Sequence, residues 1–208
     1  MNKRILVIGA AVLLGTAACG GDGGKGDGAK PGHGAMSSGA ASSSAAPSPA
    51  AGHNAQDVMF AQMMIPHHRQ AVEMSKVVAA GSGDAEVKRL AAQIERAQAP
   101  EIETMSGWLR QWGEQVPAEG VAPPAMNHHG GGMAGMMTPE QMAGFRKLKG
   151  EALDRRFLTM MIEHHEGAVT MAREEQAKGA HPAAKTMADE IVRTQQDEIA
   201  AMKKMLRG

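Results

Sequence analysis

Two short segments hold the residues best suited to chemistry. Met63-Met64-Ile65-Pro66-His67-His68 and Met160-Met161-Ile162-Glu163-His164-His165 both read Met-Met-x-x-His-His. Residues four apart on a helix are neighbours on one face. Met63 then lies beside His67, and Met64 beside His68. Met74 returns to the same face two turns beyond His67, as Met171 does beyond His164. Each segment, if helical, offers two imidazoles and up to three thioethers along one strip. Thioether is a soft ligand and imidazole a borderline one, and copper(I) accepts both. Zinc prefers thiolate, imidazole and carboxylate, and magnesium and calcium prefer oxygen. The ligand set favours Cu(I) or Ag(I), with Cu(II) able to use the histidines alone. A methionine stripe also serves as ordinary core, because Met fills irregular gaps. The paired histidines go further, since each buried imidazole needs partners for its ring nitrogens.

A second constellation follows in each half. Gln98, Glu101 and Met105 fall on one helix face, and Gln195, Glu198 and Met202 repeat them. Glu101 and Glu198 can fix a ligating histidine by accepting its ring N–H, can ligate directly, or can pair with Arg96 and Arg193. The stretch between the halves adds Met126, His128, His129, Met133, Met136 and Met137 among glycines, a His- and Met-rich tract of metal-binding composition.

The elements that must position these residues come from a duplication. DVMFAQMMIPHHRQAVEMS from Asp57 matches DRRFLTMMIEHHEGAVTMA from Asp154, an offset of 97 residues. At that offset Lys88, Ile94, Gln98, Glu101, Met105 and Leu109 meet identical residues without a gap. Apolar positions recur at helical spacing in Phe60, Met64, His67, Ala71 and Met74, and again in Phe157, Met161, His164, Ala168 and Met171. Breaks at Gly81-Ser82-Gly83 and before Gly179 turn each half into a helical hairpin. The spacing predicts helices over about 57–80 and 84–112, another ending before Gly179, and a last one opened by His181-Pro182. Thr138-Pro139-Glu140-Gln141 starts a short extra helix that stops near Gly150. Two hairpins make an all-α four-helix bundle over residues 54–208, with a Gly/His/Met-rich central loop at 113–137. Pro66 and Pro100 lie inside predicted helices, where proline costs ~3 kcal/mol. Their counterparts Glu163 and Asp197 impose no kink, so unequal halves are expected.

Residues 1–18 read as an export signal, with Lys3 and Arg4, an apolar run over Ile5–Leu14, and Thr16-Ala17-Ala18 as a cleavage site. That run is shorter than the roughly 20 residues a spanning helix needs. Cys19, the single cysteine, follows directly, as in the lipobox of bacterial lipoproteins, although Thr16 stands where Leu is usual. Two or more acyl chains there would hold the protein on a membrane. Residues 19–53, mostly Gly, Ala, Ser and Pro, form a disordered tether; His33, Met36 and His53 lie in it.

Composition removes several alternatives. The formal net charge is zero, so no basic footprint points to nucleic acid. With Cys19 lipidated, no thiol remains for soft-metal chemistry. Eighteen Met against three Phe, two Trp and no Tyr leave a core filled by Met, Ile, Leu, Val and Ala. A di-iron site would need a Glu-x-x-His motif on each of two helices, and Pro66 and Arg69 stand where the first half would need carboxylates.

With the doubled motif in view, the chain resembles the bacterial "domain of unknown function 305" family over about Asn54–Leu206. The resemblance rests on FAQMMIPHHRQAVEMS from Phe60, HHGGGMAGMMTPEQM from His128 and FLTMMIEHHEGAVTMA from Phe157. It implies a ferritin-like bundle, export to the periplasm or cell surface and, for some members, copper binding and copper tolerance; it implies no established enzymatic activity. The expectation is an extracytoplasmic protein that buffers copper(I) or hands it to a metal-exchange partner. His67, His68, His164 and His165 lead the ligand set, followed by Met63, Met64, Met74, Met160, Met161 and Met171, with Glu101, Glu198, His128 and His129 as further candidates. A Cu(I) oxidase and a metal-free helical interaction module remain as alternatives.

Overall fold

The computed structural model describes residues 52–120 and 134–207. These residues form five helices: α1 Ala55–Gly81, α2 Ala85–Trp112, α3 Pro139–Phe145, α4 Gly150–Lys178 and α5 Pro182–Met205. The helix starts follow local chemistry. The Asn54 side chain accepts from the N–H groups of Gln56 and Asp57 while Asp57 reaches back to the Asn54 N–H, a capping box. Asp84 caps α2, and Thr138 and Gln141 box the start of α3 with Pro139 in the first turn. Gly113 ends α2 with φ +75°, a left-handed conformation that glycine adopts without cost. The short α3 stops at Phe145, earlier than the expected Gly150, which instead opens α4. Both α1 and α2 continue through their prolines, Pro66 and Pro100.

The long helices pair as the hairpins α1/α2 and α4/α5, and α1 packs against α4 to join them. Two apolar clusters fill the bundle. One gathers Phe60, Met64 and Ile65 of α1 with Met105 and Leu109 of α2, Ala168 and Ala172 of α4 and Ile191 of α5. The other gathers Met74 and Val78 of α1 with Leu153, Phe157, Met160 and Met161 of α4, plus Met142 and Phe145 of α3. Early α1 thus meets late α4 and the reverse, so these two helices run antiparallel. The Met-x-x-His-His segments fall where the clusters meet. No helix among the described residues is long and apolar enough to cross a membrane.

The start of α1 is fastened to the α4–α5 turn. The buried Asp57 carboxylate accepts from the backbone N–H groups of Ala180 (3.1 Å) and His181 (2.8 Å) as well as from Asn54. Burial raises the Asp57 pKa, but the hydrogen bond from Glu175 and those from the backbone outweigh it and hold the group below its ordinary value. Glu175 is fully buried beside it. Burial, then the hydrogen bond to Asp57 and its charge, push Glu175 up to about 8. The Gln56 side chain faces the Glu175 carboxyl and opposes the rise without cancelling it, and a proton on Glu175, donated to Asp57, reconciles the pair. At the same end His53 stacks on Trp112 at 4.4 Å, and the His181 ring stands edge-on to Trp108 and Trp112.

Candidate metal centre

The centre is a layer of four imidazoles between the apolar clusters. His67, His68, His164 and His165 are all fully buried. The rings of His67 and His164, one from each half, lie 3.8 Å apart at 41°. His164 and His165 are 6.2 Å apart. The outer pair is held by the partner helices. His68 Nε2–H donates to Glu101 Oε2 at 2.6 Å, and His165 Nε2–H donates to Glu198 Oε2 at 2.8 Å. The two halves make the same bond across the same sequence separation. Both carboxylates turn to histidine, and none of the ion pairs found among the described residues joins them to Arg96 or Arg193.

These partners fix the protons. A carboxylate or carbonyl oxygen only accepts, so the facing ring nitrogen must carry the hydrogen. Nε2 of His68 and His165 is therefore N–H. The same holds for His67, whose Nε2–H donates to the Ala134 carbonyl at 3.2 Å. In the neutral rings Nδ1 then bears a lone pair, and Nδ1 of all three is buried without a partner. His164 is the extreme case, because neither of its ring nitrogens has a partner. A buried polar atom left unpaired costs about 1–3 kcal/mol. Of these five nitrogens one is the N–H of the neutral His164 ring and four carry lone pairs, so the layer calls for something that accepts lone pairs. Burial, reinforced by the neighbouring histidines, drives the His67 pKa down to about 3 and that of His164 well below its ordinary value. Unlike free imidazoles that protonate near pH 6.5, these two stay neutral in mild acid.

The methionines divide across the layer. Met64 belongs to one apolar cluster, and Met74, Met160 and Met161 to the other, all four fully buried. Met63 and Met171 are half-buried. Among the described residues no three His, Cys, Asp or Glu side chains are arranged to hold one ion. Two imidazoles completed by thioether sulfur, or two imidazoles alone, suit a soft ion of low coordination number, whereas no four-ligand zinc site is assembled among the described residues. Cys19, His33, Met36, Met126, His128, His129 and Met133 lie outside the described residues. So do residues 1–51, which take in the expected export signal and nearly all of the expected tether.

Sequence reasoning did not say which helices the end of the central loop crosses. Residues 134–137 cross α1 and α4 immediately before α3. Gln70 grips this segment by its backbone: its amide donates to the Met137 carbonyl at 2.9 Å and accepts from the Met137 N–H at 2.7 Å. Gly167 lies directly beneath it, and a Cβ there would fall on the Ala134 carbonyl. Gly135, at φ +79°, passes against the backbone of Glu163 and His164. Met137 is buried in the cluster that holds Met74, Met160 and Met161. The only sequence signal was a mismatch inside the repeat, with Gln70 aligned to Gly167. On the opposite side a cavity of about 490 Å³ between α2 and α5, lined in part by Arg89, Gln93, Arg193 and Thr194, reaches Glu198.

Comparison with known proteins gives this geometry a family. The family model described as Domain of unknown function (DUF305) matches residues 57–206. The chain belongs to the DUF305 family. A DUF305 protein from Streptomyces coelicolor is 37% identical, with a TM-score of 0.66, covering 73% of this chain and 92% of that one. A DUF305 fragment from Deinococcus radiodurans is 33% identical, with a TM-score of 0.64 over 74% of this chain and 96% of its own. CopM in its Cu(I)-bound form is 30% identical, with a TM-score of 0.60 over 73% of this chain and 95% of CopM. CopM structures also exist in Cu(II)-bound, silver-bound and apo forms. No curated protein matches the chain.

Proposed function

We propose that this DUF305 protein binds copper outside the cytoplasm, holding Cu(I) at the histidine layer and buffering or transferring it without turnover. The observation that carries the reading is the His67–His164 pair, 3.8 Å apart and fully buried, with both nitrogens of His164 unpartnered. His67 Nδ1 and a nitrogen of His164 are the first ligands. Nδ1 of His68 and His165 extends the site, and Glu101 and Glu198 fix those rings as acceptors. Met64, Met74, Met160 and Met161 flank the layer with soft sulfur, and Met63 and Met171 add thioethers nearer the surface. Silver(I) fits the same donors, and Cu(II) can use the imidazoles. CopM, bound to Cu(I), Cu(II) and silver in its structures, supports this ligand preference. The central-loop His128 and His129 offer a further capture point. Export through residues 1–18, lipidation at Cys19 and tethering by 19–53 would put the bundle at a membrane surface, where a metal-exchange protein can reach it.

The test is an anaerobic Cu(I) competition titration of the mature protein beside the His67→Ala/His164→Ala variant. Tight uptake that the double variant loses is the expected result. Equal uptake in both moves the ion elsewhere, and no uptake in either removes the copper reading.

A further inference from the structure

Within the repeat, position 70 and position 167 are equivalent, yet one is glutamine and the other glycine. The structure gives both residues to the same task. Gln70 pairs with both backbone groups of Met137, and Gly167 leaves the bare helix surface on which the Ala134 carbonyl rests. Between these two points the segment drops its Ala134 carbonyl onto His67 Nε2–H. Downstream the segment is anchored as well. Thr138 caps α3, Phe145 is buried in the core, and Arg146 pairs with Glu73 of α1. A glycine in mid-helix is a poor helix former, so its place at 167 is explained by the chain that crosses it.

We propose that Gln70 and Gly167 are positioning residues that latch residues 134–137 as a strap over the His67–His164 pair. The latched strap holds His67 in the Nε2–H tautomer through Ala134, and the ion passes in and out by release of the strap. The strap accordingly governs exchange: latched, it retards escape of Cu(I); displaced, it frees both the ion and the His67 ring. This rests on the copper reading for its exchange part only, because the latch and the tautomer exist in the metal-free protein.

The experiment uses the mature protein with Gly167→Ala, Gln70→Ala and Gln70→Glu. Alanine at 167 is the better helix former, so α4 stays intact while its Cβ evicts the Ala134 carbonyl; retained helicity by circular dichroism verifies this. In metal-free protein, Met137 amide exchange and the ring ¹⁵N shifts of His67 are measured. Both should change in Gly167→Ala and Gln70→Ala. Gln70→Glu keeps only the acceptor for the Met137 N–H and should fall between parent and Gln70→Ala. With Cu(I) loaded, release to excess competing chelator should quicken by about tenfold in Gly167→Ala, as a change in off-rate. An unchanged Met137 amide and an unchanged His67 ring would overturn the latch. A displaced strap with an unchanged release rate would overturn its role in exchange. A parent that takes up no Cu(I) overturns the exchange role together with the copper reading, and the metal-free measurements still decide the latch.

Discussion

The two halves of this bundle descend from one sequence pattern and have kept different parts of it. Both retain the histidine pair and the glutamate 33 residues later, and both make the same histidine–glutamate bond, at 2.6 Å and 2.8 Å. Around that shared unit they diverge. Gln70 grips passing chain where its counterpart Gly167 makes room for it. Val78 and Ser82 in the first half correspond to Glu175 and Gly179 in the second, where the missing Cβ of Gly179 leaves the space that the Glu175 carboxyl enters. Trp108 at one end of the bundle stands where the repeat has Met205 at the other. The histidine–glutamate unit is symmetric, then, and what covers and fastens it is not. Duplication accounts for the paired histidines and glutamates, and the substitutions between copies for the chain crossing at Gly167 and the Asp57–Glu175 contact.

The largest effect should come from breaking the symmetric part. Glu101→Ala and Glu198→Ala should each weaken copper binding by about 10–100-fold, the usual cost of losing an acceptor behind a ligating histidine. Competition titration of both variants and of the double variant checks this. Equal single losses mean the halves contribute alike. A loss confined to one variant means that a single half holds the ion.

A smaller effect tests the asymmetric clasp. Glu175 has a folded pKa near 8 against an ordinary 4.5, so the folded state binds the extra proton. Its contribution to stability is full below about pH 4.5, declines as pH rises, and is gone once pH passes about 8. Asp57, held below its ordinary 3.8, acts with the opposite sign and loses its contribution only in strong acid. Denaturant unfolding from pH 7 to 9, above the range in which His67 and His164 take up protons on unfolding, should show parent stability falling, with a much flatter profile for Glu175→Gln. An equally steep profile in the variant would assign the slope to other groups.

The smallest effect compares helix starts. Asn54 caps α1 through its side chain, whereas Lys149 at the start of α4 makes no such bond. Asn54→Ala should cost about 1 kcal/mol in chemical denaturation. Lys149→Ala should change stability little, and an equal loss in both would separate capping from the difference.

What could be read in the sequence was what repeats or is local. Helical spacing gave the stripe from Phe60 to Met74 and its copy, and breaker residues gave the hairpins. The fixed offset from His68 to Glu101 and from His165 to Glu198 offered a hydrogen-bonding pair, though it competed there with ion pairs to Arg96 and Arg193. The strap was hidden because nothing local says which helix a Gly-rich stretch will cross. Gly167 is an unfavourable helix residue whose place only the Ala134 carbonyl above it explains. Glu175 was hidden for a similar reason, since its partner Asp57 is remote in sequence and belongs to the other half. Pro66 and Pro100 lie inside continuous helices, as the apolar spacing predicts.

The aromatic end of the bundle has a practical consequence for anyone who watches this protein in solution. Trp108 and Trp112 are its only tryptophans, and it has no tyrosine. Both indoles sit in the last turns of α2 with imidazoles against them. Seven residues separate Glu101 from Trp108, which is about 10 Å along the helix. Ultraviolet emission therefore samples one end of the bundle. A quenching curve will record what happens around His53 and His181 at that end, and the histidine layer only across the apolar cluster on which both indoles pack.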